Sequence, residues 1–249
     1  MKTFRVSVFA FILATFVGCT NNSIQPEATS VNLQFLHLVD NQPLELDNIK
    51  YTNAVGQAYS IKTVKYFVSR VTFHKTDGTD IAIPDIHYVD IRDEATLNYE
   101  LSEKIPYGSY SGISFVYGLV PEDNVTGSLG LELDQLMEWP MMMGGGYHYM
   151  KLEGEYISDD VITFFNFHSG SLNGVAYEIH VDLPNSSFDA NASNLNVGMA
   201  MEISNWFQNP VDWDFAYWGS GIMGNADAQA TVQMNGTDVF SVNFPETAL

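Results

Sequence analysis

Between residues 31 and 183 apolar side chains return at every second position, segment after segment, and this period constrains the fold more than any other feature of the chain. In residues 31–39, Leu33, Phe35, His37 and Val39 share one face of an extended chain, and Asn32, Gln34, Leu36 and Leu38 share the other. Residues 59–73 are rich in β-branched and aromatic side chains and long enough for one bent strand or two. The turn pair Asp77-Gly78 leads into 81–83, and residues 86–91, 112–119, 147–157, 161–168 and 174–183 read as further strands. Asp159-Asp160 marks a hairpin between two of them. Helical signals are confined to 126–139, 204–208 and 227–233. No linker or second composition regime interrupts residues 31–249. The pattern predicts an all-β fold, a single β-sandwich or irregular barrel domain with a few short helices.

The N-terminal end reads as an export signal. Lys2 and Arg5 precede an apolar run over 6–17, shorter than the roughly 20 residues a spanning helix needs. The run ends in Phe16-Val17-Gly18-Cys19, which resembles the lipobox of bacterial lipoproteins. Cys19 is the only cysteine, so it is the expected lipidation site, and no disulfide is available to stabilise the fold. Each buried CH₂ of an acyl chain contributes about 0.8 kcal/mol of membrane affinity. Residues 1–18 are therefore expected to be a lipoprotein signal peptide, and 19–30 the lipidated Cys with a polar tether. That implies a protein anchored by lipid alone in the bacterial cell envelope, periplasm-facing or at the surface. The formal charge is −20. Losing Lys2 and Arg5 with the signal leaves −22, which repels nucleic acid and anionic lipid and attracts cations only weakly.

Two segments stand out for side-chain chemistry. Residues 139–149 read Trp-Pro-Met-Met-Met-Gly-Gly-Gly-Tyr-His-Tyr, and residues 206–218 hold three Trp. Period-2 sorting of the six His puts His74 and His180 with polar neighbours, facing solvent. His37 shares a face with Leu33 and Phe35, and His148 with Met150 and Leu152, so both are expected to point inward. His168 follows Phe164-Phe165-Asn166-Phe167, apolar on both faces, and His87 is not assigned by the pattern. A buried imidazole needs a hydrogen bond or a metal. With no second Cys for a zinc site, His near Met141, Met142, Met143 and Met150 leans toward copper. Met also fills irregular cores, and an inward His is commonly a hydrogen-bonded core residue. If the hairpin turn has three residues, His148 and His168 share a face but stand about 13 Å apart along the strands. With two residues they face oppositely. Joint ligation then requires a bulge, a strong bend, or pairing of one of them with His37.

The ordered motifs resemble the MbnP-like family of exported proteins associated with methanobactin systems. They are Leu33-Gln34-Phe35-Leu36-His37, Tyr66-Phe67-Val68-Ser69, His87-Tyr88-Val89-Asp90, Gly145-Gly146-Tyr147-His148-Tyr149-Met150, Phe167-His168-Ser169-Gly170 and Trp206-Phe207-Gln208-Asn209-Pro210. The resemblance implies an all-β extracytoplasmic protein with copper held by His. Carried over by motif, the metal ligands are His37, His148 and His168. Trp139 is the residue the resemblance implies for oxidation to kynurenine beside the metal, by a di-haem peroxidase-like partner. The chain departs from the family pattern there, with Trp139-Pro140-Met141-Met142-Met143 in place of a Trp-x-Trp-like pattern.

The leading expectation is a copper-binding lipoprotein that sequesters or delivers copper, with ring protonation near pH 6 weakening binding and the Asn166 side chain or backbone carbonyls orienting the rings. The alternative is a metal-free recognition module in which Trp206, Trp213, Tyr217 and Trp218 stack on a ligand. An enzyme is not expected, since there is no Gly-x-Ser-x-Gly, no His-Glu-x-x-His, and no Lys after Gly144-Gly145-Gly146.

Overall fold

A computed structural model describes residues 27–244, so the expected signal segment, Cys19 and most of the expected tether lie outside the described residues. Two sheets face each other across one aromatic core, as the period-2 pattern predicts. The main strands are β1 (Ala28–Val39), β2 (Ala58–Lys75), β3 (Ile86–Asp90), β4 (Gly108–Tyr117), β5 (His148–Ser158), β6 (Val161–Gly170), β7 (Ile179–Leu183), β8 (Asn194–Glu202) and β9 (Phe240–Asn243). The helices are α1 (Leu131–Met137), α2 (Phe215–Trp218) and α3 (Ala226–Asn235). The first strand begins at Ala28.

One sheet runs β9-β8-β1, with β1 and β8 parallel from Ser30↔Asn194 to Leu38↔Glu202. The other runs β6-β5-β2-β4-β7, and β3 adds to β2. Leu33 and Phe35 of β1 meet Tyr66 and Val68 of β2, Phe115 of β4 and Phe167 of β6 in the core. Trp206, Trp213 and Phe215 close one end of it. A smaller apolar cluster covers the outer face of the larger sheet. It holds Phe67, Leu119, Met137, Tyr147, Tyr149, Leu172 and Tyr177. Phe67 alternates with the core residues Tyr66 and Val68, which fixes it to that outer face. Among the described residues no helix is long and apolar enough to cross a membrane.

β5 positions the candidate site, because it pairs β6 on one side and β2 on the other. At Gly154 the β2 strand bulges, and a Cβ there would sit 1.9 Å from the Ser60 carbonyl oxygen and 2.7 Å from the Phe165 ring. Backbone cannot retreat from such an overlap without opening the sheet. Gly154→Ala is expected to cost about 3 kcal/mol or more of stability, read as a lower urea midpoint. An unchanged midpoint would show that the two strands are not packed this closely.

Candidate metal centre

The hairpin between β5 and β6 turns through two residues, Asp159 and Asp160, with Ser158 paired to Val161. That register holds as far as Met150↔Ser169 and Lys151↔His168. On it alone, His148 and His168 would face opposite sides. It then shifts by one residue, so that His148 pairs with Gly170. The bulge at Tyr149 re-aims His148 onto the outer face, where His168 already stands. Their ring centroids lie 5.0 Å apart, edge to face. His148 is therefore buried as expected, but on the face opposite to Met150 and Leu152, which belong to the sandwich core.

The cover over His148 comes from the segment before β5. Glu138 bridges Tyr147, and the Trp139 amide donates to the Gly146 carbonyl at 2.8 Å, so the Met-Gly stretch is the closing loop of a short hairpin. Gly144, Gly145 and Gly146 all take positive φ (123°, 71°, 85°), and a Cβ on Gly146 would overlap the Asn124 side chain. Thr126 and Asn124 brace the loop by accepting from the amides of Gly146 and Tyr147. The result packs the fully buried Trp139 ring 4.8 Å from the His148 ring and directly over Gly170.

Each imidazole is oriented by a hydrogen bond on one nitrogen. His148 Nδ1–H donates to the Met137 carbonyl at 3.0 Å, which leaves Nε2 with the lone pair. His168 Nε2–H donates to Glu153 at 2.8 Å, and its Nδ1, which then carries the lone pair, is buried without a partner. This arrangement, a donor to carbonyl or carboxylate behind a free ring nitrogen, is how metal-binding His are held. The Trp139 indole nitrogen beside the pair is likewise buried and without a partner. Burial, and then the charges of Lys151 and His168, push the His148 ring down to about 3, so it is neutral throughout the physiological range. Protonation near pH 6 is thus not available at His148. The hydrogen bond from His168 holds the Glu153 carboxyl down at about 2.

The third expected ligand does not join them. His37 is buried between the sheets, where its Nε2 lies 3.1 Å from the Tyr66 hydroxyl. The larger sheet itself separates it from the outer face. Met150 pairs beside Tyr66 on that same core side, and Met141 and Met142 are exposed. Asn166 donates its side-chain amide to the Ser220 carbonyl and does not orient either ring. Of the other His, His74 bonds Asp80 and Ser114, His180 is exposed, and His87 stacks between Phe35 and Tyr99. The Trp206–Trp218 platform does not form either, because Trp206 and Trp213 are core residues. A cleft of about 560 Å³ over Arg70, Ser114 and His180 touches none of the paired-His residues.

Two supports of the pair have no signal in the sequence. Glu153 reads there only as one residue of a polar face. Gln229 of α3 is fully buried and donates to the His168 carbonyl while accepting from the Gly170 amide, which fixes the backbone of β6 at the pair. Nothing in a lone helical Gln announces that role.

Among the described residues no three His, Cys, Asp or Glu side chains converge on one point as a ready metal cluster. The chemistry on offer is two imidazole nitrogens, Nε2 of His148 and Nδ1 of His168, in a largely buried setting. That suits an ion content with few ligands, such as monovalent copper, better than zinc, whose sites take three or four protein ligands.

Compared with known families, residues 28–224 match MbnP. Among solved structures, MbnP from Methylosinus trichosporium has the same fold, with a TM-score of 0.59 at 14% identity. That match covers 88% of this chain and 99% of the other. No curated protein matches the chain.

Proposed function

Because this chain belongs to the MbnP family, we propose that it is a copper-handling protein in which His148 and His168 hold one copper ion, for sequestration or delivery. The observation that carries this reading is the pair itself: two rings 5.0 Å apart, each with one nitrogen tied back and one left free. Bound copper would supply a Lewis-acidic or one-electron centre. The residues here bind it, exclude water with Trp139, and set ring orientation through Met137 and Glu153. The role is binding rather than catalysis. The resemblance to a lipobox at Cys19 supports anchoring in the cell envelope. Trp139, packed on His148, is the residue whose oxidation by a peroxidase-like partner the family resemblance implies.

The test is copper(I) competition against a chelator, with intact mass of the protein from its native envelope. One copper per chain is expected, and the mass reports both lipid on Cys19 and oxidation of Trp139. Glu153→Gln, which weakens the hold on His168, is expected to loosen copper about 10- to 100-fold. A protein that refuses copper at neutral pH would end the proposal.

A further inference from the structure

The aromatic core contains a second chemistry, apart from the His pair. Its rings form a connected path from the surface to the interior. Tyr217 is exposed and meets Trp218 at 5.0 Å. Trp218 stacks on Trp213 at 4.9 Å with 19° between planes. Phe167 bridges Trp213 (4.6 Å) and Trp206 (6.1 Å). Tyr117 bridges Trp206 (5.2 Å) and Tyr66 (5.3 Å). The path ends at the buried hydrogen bond between Tyr66 and His37, 3.1 Å long.

We propose that Trp218, Trp213, Trp206 and Tyr66 form a relay that carries a one-electron oxidation from the surface to the Tyr66–His37 pair, where it rests as a neutral tyrosyl radical. The resting place is decided by where a proton can go. The Trp206 indole nitrogen and the Tyr117 hydroxyl are both buried without an acceptor. Oxidised there, either ring would keep its proton and leave a full positive charge in an apolar core, which is costly. Neither ring can hold the oxidation for long. Among the buried rings of the path, Tyr66 alone has a base in contact. Burial keeps that base neutral, pushing the His37 ring down to about 4, so in the tautomer protonated at Nδ1 its Nε2 lone pair accepts the phenol hydrogen. An oxidised phenol is a far stronger acid than imidazolium, so even a weakened base takes its proton.

An external one-electron oxidant at the Tyr217–Trp218 end gains one electron. Tyr66 loses that electron through the Trp stations. Its O–H bond breaks and an N–H bond forms at His37 Nε2, giving a phenoxyl radical beside an imidazolium. Return of an electron reverses both transfers.

The test uses metal-free protein, so that it stands apart from the copper reading. Photo-generated tris(bipyridyl)ruthenium(III) serves as oxidant, in a Tyr217→Phe background that removes the exposed phenol. Electron paramagnetic resonance and transient absorbance are expected to show a tyrosyl radical that forms more slowly in D₂O. Tyr66→Phe, which deletes one hydroxyl and keeps the ring, is expected to reduce its yield at least tenfold. Trp213→Phe is expected to slow its formation at least tenfold. A radical of unchanged yield in Tyr66→Phe overturns the proposal, and so does a rate without a solvent isotope effect in the unsubstituted core, which needs no core variant to fold.

Discussion

Replacing both outer-face imidazoles, His148→Ala with His168→Ala, is expected to lower copper(I) affinity by a factor on the order of a thousand or more, whereas His37→Gln keeps it. The contrast comes from which side of the larger sheet each ring occupies. His148 and His168 lie 5.0 Å apart under the cover of Trp139, while His37 hydrogen-bonds Tyr66 between the sheets. The single variants need not be equal. Losing His148 also leaves the Met137 carbonyl without its donor, which costs about 1–3 kcal/mol of stability. Losing His168 leaves the Glu153 carboxylate, about a third exposed, free to turn to water. Chelator competition combined with thermal unfolding separates the two effects. Retention of copper by the double variant, or its loss in His37→Gln, would place the metal elsewhere in the molecule.

A period of two encodes which face a strand residue takes, and little else. The alternation of 31–39 puts Leu33, Phe35 and His37 in the core, where the structure also has them, because β1 is a strand buried on that face along its length. Asp159-Asp160 marks the hairpin because both residues take positive φ, a conformation that Asp tolerates. The same rule misassigns His148. A bulge adds one residue at Tyr149, and His148 then changes face. No residue type announces that bulge. β8 is not legible either: its run Asn194-Leu195-Asn196-Val197-Gly198-Met199-Ala200-Met201 has few β-branched residues. It is held by parallel pairing with β1 across more than 150 intervening residues. The strand expected over 174–183 shortens to Ile179–Leu183, because Asn173 and Gly174 turn the chain at positive φ. The Trp-rich segment reads as a binding loop because composition alone does not distinguish a stacking platform from the plug of a β-sandwich. Trp206 and Trp213 are that plug.

Acid is expected to remove most of the stability of the copper-free protein between pH 6.5 and about 4. Burial lowers His37 to about 4 and His148 to about 3 in the fold, against about 6.5 in the unfolded chain. The sign comes from proton counting. Below pH 6.5 the unfolded chain takes up two protons that the native state refuses, so stability is complete above pH 6.5 and falls as pH drops. Each His contributes about 1.4 kcal/mol per pH unit while its native ring stays neutral. By pH 4 the pair together cost about 6 kcal/mol, comparable with the 5–15 kcal/mol that typically holds a domain together. Below about pH 4.3 the Glu153 carboxylate, held low by His168, adds to the same trend as it is protonated in the unfolded chain first. Urea midpoints at pH 7.0, 5.5 and 4.5 measure the slope, and His37→Gln should halve it. A flat profile would mean that neither ring is held neutral by burial. On the proposed reading, copper would oppose the loss, by binding the neutral His148 ring of the native state and stabilising that state by mass action. The copper-loaded protein should therefore hold its fold at pH 5 while the copper-free form is already weakened, and should release the ion when the sheet opens rather than when His148 is protonated in place.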